Sequence, residues 1–337
     1  MSSSTATRAM AMAPASVANV AVGFDLLGFS IDVACDKVIV EKTVEKTVEK
    51  SDRKTVEKSD SNSVQIVQVS GLAKSIPQDP AKNTATAGLL RLRDDLCLPF
   101  GFRVSIEKGI PLSSGMGGSA ASAVAALVAA NALLDKPLSG LELMAYALIG
   151  EAQASGSYHA DNVAPSFCGG LTLSQVQQPL PGQLPKVQVT SIPIPKGIHC
   201  VLIHPHLAVE TKQARGILKK DVSLKDHIAQ SANLAGFLAG CFRGDLDLIR
   251  HSFSDLLIEP QRAHLIPGFV DVKKAAMAGG ALGCSISGAG PSVFAWVEDL
   301  ETARQIQAEM TEAFRRAGVS VDGWSVPLNT KGAQVMA

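Results

Sequence analysis

The stretch from Pro111 to Leu134 reads P-L-S-S-G-M-G-G-S-A-A-S-A-V-A-A-L-V-A-A-N-A-L-L, a glycine- and serine-rich loop that runs without a break into an alanine-rich segment. Bare backbone N–H groups at Gly115, Gly117 and Gly118 can close around an anion because no side chain blocks the approach. The helix expected over Ser119–Leu134 points the positive end of its dipole at the same spot. The pattern predicts a phosphate-holding loop, with a nucleotide as the source of the phosphate.

Other readings of the segment fare worse. As a membrane span it opens on Pro, Gly and Ser, and its apolar part from Ala120 is shorter than the ~20 residues a bilayer core requires. A Walker-type loop needs Gly-Lys before Ser or Thr, and the chain contains no Gly-Lys pair. Gly115-x-Gly117-x-x-Ala120 fits a permissive dinucleotide fingerprint with Asp135 as the ribose acid, but Lys136-Pro137 follows Asp135 directly and leaves no room for the second strand of a βαβ unit. A glycine turn before an ordinary core helix remains open for this segment read alone.

At 337 residues the chain is expected to form two domains or two lobes that share a cleft. Its formal net charge of zero gives no footprint for nucleic acid or an anionic membrane, so a small molecule is the expected partner. The six cysteines show no C-x-x-C pair, which fits thiols in a reducing cytosol and argues against zinc or disulfides. The first thirteen residues are too short for a transit peptide and lack an apolar h-region; they read as a frayed start.

Strand patterns cover Val64–Val69, Phe102–Ile106, His199–Ile203 and Ser292–Val297. Helical patterns cover Thr84–Asp95, Ser119–Leu134, Ser139–Glu151, Lys225–Arg243 and Leu300–Ala317. This is an α+β chain. Gln175–Lys196, with five prolines, is the expected junction or an exposed edge near it, and residues 41–60, which repeat T-V-E-K, read as a polar insert.

The loop resembles the P-x-x-x-G-L-G-S-S-A-A signature of the GHMP kinases. Met116 stands in place of Leu, a tolerable apolar swap, and Gly118 replaces the first Ser while Ser119 keeps the second. Ala13–Gly28, A-P-A-S-V-A-N-V-A-V-G-F-D-L-L-G, is similar to the opening motif of the family's homoserine-phosphorylating branch, and Gly283–Ala295, G-C-S-I-S-G-A-G-P-S-V-F-A, to the third family motif. Glu151 through Asn162, Thr211-K-Q-A-Arg215 and Glu259-P-Q-Arg262 match the same branch in order, so the resemblance spans nearly the whole chain apart from the insert.

The resemblance implies a two-domain GHMP fold: a nucleotide-binding domain over residues 1–172 and a ferredoxin-like domain over residues 173–337, with the site in the cleft between them. It also implies ATP with Mg²⁺ and L-homoserine as the substrate, in a cytoplasmic enzyme that binds neither nucleic acid nor membrane and leaves room for a homodimer. On this reading Asn83, Pro111, Leu112, Ser113, Ser114, Gly115, Met116, Gly117, Gly118, Ser119, Ala120 and Ala121 hold the nucleotide, and Ser119 and Glu151 hold the metal. Asn19, Asp25, Asn162, Thr211, Arg215 and Arg262 form the amino-acid pocket, the arginines taking the carboxylate.

Taken without the family, Glu151 is an ordinary helix-end carboxylate, Asn83 an N-cap and each arginine a surface cation. His159, Asp161 and Asn162 are the candidate catalytic residues, although His159 and Asp161 could simply hydrogen-bond backbone. An amide at Asn162 cannot accept a proton, so the chemistry expected is positioning and charge stabilisation, with the proton passing to solvent or to the γ-phosphate. His204-Pro-His206 has metal-like spacing but no third ligand. No G-x-S-x-G elbow is present, which leaves a hydrolase without its nucleophile.

Overall fold

The computed structural model describes residues 6–43, 63–73, 75–328 and 330–336. Strand β1, Arg8–Ala18, takes up the later part of the stretch that reads as a frayed start, whose first five residues lie outside those described, and it is central: every residue from Ala13 to Ala18 is buried. Alanine has little strand preference of its own; pairing along the whole length of β2 (Leu27–Lys42), from Arg8 opposite Glu41 to Ala18 opposite Gly28, decides the matter. Because β2 runs on through Glu41 and Lys42, these two residues belong to the sheet and not to the polar insert. The rest of that insert, residues 44–60, lies outside the described residues.

β3 (Val64–Gly71) and β4 (Phe102–Lys108) pair in parallel, and α1 (Thr84–Asp95) makes the crossover that parallel pairing demands. Helices α2 (Gly118–Asn131), α3 (Gly140–Ser155) and α4 (Val163–Cys168) follow. α2 has buried residues on every side, from Ala120 to Ala130, as expected of an alanine-rich helix with no polar stripe. β5 (Leu171–Gln177) pairs with β2, and β6 (Lys186–Ile192) pairs with β5. The proline-rich passage therefore holds β6 at the edge of the first sheet, one of the two readings its sequence offers, and K-V-Q-V-T-S-I alternates with period two between its prolines.

The second sheet comprises β7 (His199–Pro205), β8 (Gly283–Ile286), β9 (Val293–Val297) and β10 (Val321–Pro327), in the order β10-β7-β9-β8 and antiparallel throughout. Between β7 and β8 lie α5 (Thr211–Gly216), α6 (Leu224–Arg243), α7 (Leu246–Ser252), α8 (Glu259–Arg262), a 3₁₀ turn and α9 (Phe269–Ala278); α10 (Leu300–Arg316) links β9 to β10. With α9 and α10 as its two crossovers this is the split βαβ arrangement of a ferredoxin-like unit. β11 (Gln334–Met336) returns to pair with β1, so the first sheet is completed by the last residues of the chain. The change of sheet falls between Ile192 and His199, at the end of the proline-rich passage.

The apolar runs in β7 and β9 are continuous because both faces of the second sheet are covered. Val201, Ile203, Val293, Ala295 and Val297 face α9 and α10, while Cys200, Leu202, Phe294 and Trp296 join the core of the first half. There Phe29 meets Phe294 and Trp296 edge-on at centroid distances of 5.6 and 5.7 Å, and Phe237 and Phe253 pack against Trp296 at 5.4 and 5.3 Å. These rings join the halves. Phe294→Ala removes a fully buried ring from that cluster and is expected to lower unfolding free energy by ~3–5 kcal/mol in urea titration.

Candidate active site

The glycine loop between β4 and α2 is held from behind by its carbonyl groups. Ser16 N–H donates to the Met116 carbonyl at 3.1 Å, Ser287 Oγ to that of Gly115 at 2.6 Å and Ser292 Oγ to that of Ser114 at 2.6 Å. With these carbonyls turned toward β1 and the β8–β9 turn, the loop is arranged for its N–H groups to face the other way. Gly115 and Gly117 adopt φ values of +76° and +67°, where glycine is favoured, and a Cβ at Gly117 would stand 2.0 Å from Ser16 Oγ. α2 starts at Gly117 with no side-chain cap, so the positive end of its dipole is available to an anion. Met116 is buried in the core, which accommodates the apolar swap, whereas Leu112 and Ser113 are exposed on the outer side.

Two charges that the motifs did not single out fix the root of the loop. Lys108 and Asp36 form a fully buried ion pair; Lys108 also donates to the Gly118 carbonyl and to Ser122 Oγ, each at 2.8 Å. Asp36 accepts from the N–H groups of Gly109 and Ile110 at 3.0 and 3.1 Å. Every strong donor and acceptor of the pair thus has a partner, the condition under which buried charges are tolerated.

Ser119 and Glu151, far apart in sequence, meet here, Ser119 Oγ donating to Glu151 Oε2 at 2.8 Å. Burial pushes the Glu151 carboxyl up to about 7 against the opposing pull of Ser119. Asp161 is pushed up to about 8, by burial first and then by the negative charges of Asp25 and Glu151. Asn162 Oδ1 accepts from Ser16 Oγ at 2.8 Å beside Gly117, which places that amide against the loop. Asn83 caps α1: its Oδ1 accepts from Ala85 N–H at 2.9 Å and its Nδ2 donates to the Pro77 carbonyl at 2.8 Å, as the plain N-cap reading requires.

On the far side, Arg215 and Asp25 form a two-pronged ion pair at 2.7 and 3.1 Å, so part of the fork expected to face a ligand is engaged within the chain. Arg215 Nε remains buried without an acceptor among the described residues. Arg262, nearly fully buried, donates to the carbonyls of Ala214 at 3.0 Å and Gly288 at 3.1 Å. Burial and then the nearby Arg215 lower it to about 10. Both guanidiniums lie over the ring of Phe24, at 5.2 and 5.1 Å from its centroid; the sequence showed Phe24 only as a letter within the opening motif.

Asn19 reaches the Gly288 carbonyl at 2.9 Å and accepts from Asp25 N–H at 3.1 Å. Asn19, Val20, Ala21 and Asp25 all have positive φ, a strain that non-glycine residues carry where surrounding structure imposes it. His159 Nδ1 lies 3.5 Å from Asp25 Oδ2, and burial holds this imidazole below its ordinary pKa. Thr211 is exposed, one helical turn before Arg215. The rings of His204 and His206 lie 6.1 Å apart, and among the described residues no group of three or more His, Cys, Asp or Glu is gathered as a metal centre would need.

The chain is similar to known proteins over nearly its whole length. Residues 83–170 match the GHMP kinases N terminal domain and residues 237–316 the GHMP kinases C terminal region. The chain is 47% identical over 332 residues to a homoserine kinase of Xylella fastidiosa, covering 98% of this chain and 95% of that protein. It is 47% identical over 329 residues to one of Xanthomonas campestris, covering 98% and 94%. The crystal structure of homoserine kinase from Cytophaga hutchinsonii superposes with a TM-score of 0.86 at 39% identity, over 100% of this chain and 99% of that one.

The two raised carboxyls set a pH dependence for the free protein. Native Glu151 and Asp161 keep their protons up to about 7 and 8, against ordinary values of 4.5 and 3.8, so the folded state binds more protons than the unfolded state between these limits. Stability is then fully present below pH ~4 and declines as pH rises through 7 and 8. Glu151→Gln should flatten part of that decline, on the order of 1–3 kcal/mol, in chemical denaturation series at successive pH values.

Proposed function

The chain belongs to the GHMP kinase family, and we propose that within it the chain transfers the γ-phosphoryl group of ATP to the side-chain hydroxyl of L-homoserine, giving O-phospho-L-homoserine for threonine biosynthesis in the cytoplasm. One observation carries the reading. The Gly288 carbonyl accepts from Arg262 and Asn19, while its neighbour Ser287 holds the glycine loop, so a guanidinium pocket and an uncapped helix start share one wall.

In this reading the N–H groups of Gly115, Gly117 and Gly118 take the phosphates, within a frame made by Pro111–Ser114, Met116, Ala120 and Ala121, with the nucleoside near Asn83. Ser119 and Glu151 offer two hard oxygens side by side, a donor set that suits Mg²⁺, which keeps water for its other positions. A carboxyl held so high by burial is one that a cation would return to its charged form. When bound, Mg²⁺ would neutralise charge on the phosphates.

The amino-acid end fits Arg262 and the unspent Nε of Arg215 for the carboxylate, with Asn19, Asp25 and Thr211 around the ammonium. Phe24 keeps the two like charges over its ring. Asn162 then sits between the pocket and the loop, where an amide orients a hydroxyl. Neutral His159 steadies that surface through Asp25, and no residue needs to act as a strong base.

An ADP-release assay should show turnover with homoserine and little with mevalonate or galactose; equal turnover of a carboxylate-free alcohol would overturn the substrate assignment. Arg262→Leu should raise the homoserine KM by at least ~30-fold with a much smaller change in the KM for ATP. Ser119→Ala and Glu151→Gln should each lower kcat by ~10²-fold or more, and chelation of divalent metal should abolish turnover reversibly.

A further inference from the structure

His204 lies in β7 of the ferredoxin-like half, nearly fully buried, and no family motif or proposed catalytic role includes it. Its Nδ1 is 3.1 Å from Ser292 Oγ, and Ser292 Oγ is 2.6 Å from the Ser114 carbonyl, the oxygen that Ser292 N–H also meets at 3.2 Å. Hydrogen bookkeeping fixes the direction of this chain. A carbonyl only accepts, so the single proton of the Ser292 hydroxyl is committed to Ser114. The contact between Ser292 Oγ and His204 Nδ1 is then a hydrogen bond only if the ring nitrogen donates.

We propose that His204 is a positioning residue for the glycine loop: its Nδ1–H donates to Ser292 Oγ, holds that hydroxyl on the Ser114 carbonyl, and thereby keeps the loop turned with the N–H groups of Gly115 and Gly117 toward the nucleotide phosphates. The inference deepens the kinase reading and rests on it for the nature of the anion, though the direction of the relay does not depend on it. The neighbours of the ring agree with a neutral Nδ1–H form. Burial lowers His204 below its ordinary pKa and His206 lowers it further, while Asp322, which pulls the other way, is itself paired with exposed His206 at 2.9 Å. A neutral imidazole must choose one nitrogen for its proton, and Ser292 chooses Nδ1.

The relay differs from packing in what it needs. Leucine fills much of the same space without a donor, whereas the Nδ2 of asparagine stands near the place of the imidazole Nδ1 and can donate. ATP binding in the presence of Mg²⁺, measured by calorimetry on the full chain, should weaken about 10-fold in His204→Leu and return to within about 3-fold of wild type in His204→Asn. The homoserine KM should change by less than about 2-fold in both.

Nitrogen-15 spectra of the wild-type protein at neutral pH should show His204 protonated at Nδ1, and Ser292→Ala should remove that preference. A wild-type ring protonated at Nε2 alone overturns the proposal whether or not any variant folds. Equal ATP affinity in wild type and a folded His204→Leu overturns it as well. Failure of the wild type to bind ATP would instead count against the kinase reading, and the spectrum would still decide the relay.

Discussion

A loop that presents its N–H groups to an anion must do something with its carbonyl groups, and in this protein that requirement governs the arrangement of the chain. The oxygens of Ser114, Gly115 and Met116 are taken by Ser292, Ser287 and Ser16, from the turn before β9 and from β1. Unsatisfied, each would cost about 1–3 kcal/mol on burial, and the peptide planes would be free to turn over. Satisfied, they require the N-terminal strand and the C-terminal βαβ unit to meet at the loop. The aromatic cluster around Phe29 and Trp296 packs the two halves against each other at the same junction. The glycine residues make the turn possible; the serine residues make it point one way.

Charge follows the same economy. Asp36 and Lys108 are buried with every strong group satisfied, and they serve the scaffold. Glu151 and Asp161 are buried, and their raised pKa values record the cost of ionising them there. Arg262 is lowered for the converse reason, and Arg215 keeps a buried Nε without an acceptor. Carboxyls that are costly to ionise on the loop side and guanidinium groups on the far side suit a cation at one end and an anionic group at the other.

The sequence revealed those parts whose chemistry is local. Periodicity located α1, α2, α6 and α10, and glycine spelling located the loop, because both depend on near neighbours. Strand β1 was hidden: its alanines carry no strand preference, and only pairing with β2 makes them one. The hairpin of β5 and β6 was masked by the prolines around it. At the site, Ser119 and Glu151 were named together only through the family motifs, since they lie on different helices. That Asp25 occupies Arg215, that Phe24 lies under both arginines and that Asp36 reaches Lys108 are tertiary facts with no signal in residue spacing.

The central claim is that the start of α2 and the loop before it bind phosphate through backbone N–H groups. Its most direct test is a titration of the isotope-labelled protein with ATP and Mg²⁺, followed by amide proton and nitrogen shifts. The amides of Gly115, Gly117, Gly118 and Ser119 should move downfield together, further than any others, as N–H groups do when they take up a charged acceptor. Saturable ATP binding that leaves those four amides in place would contradict it.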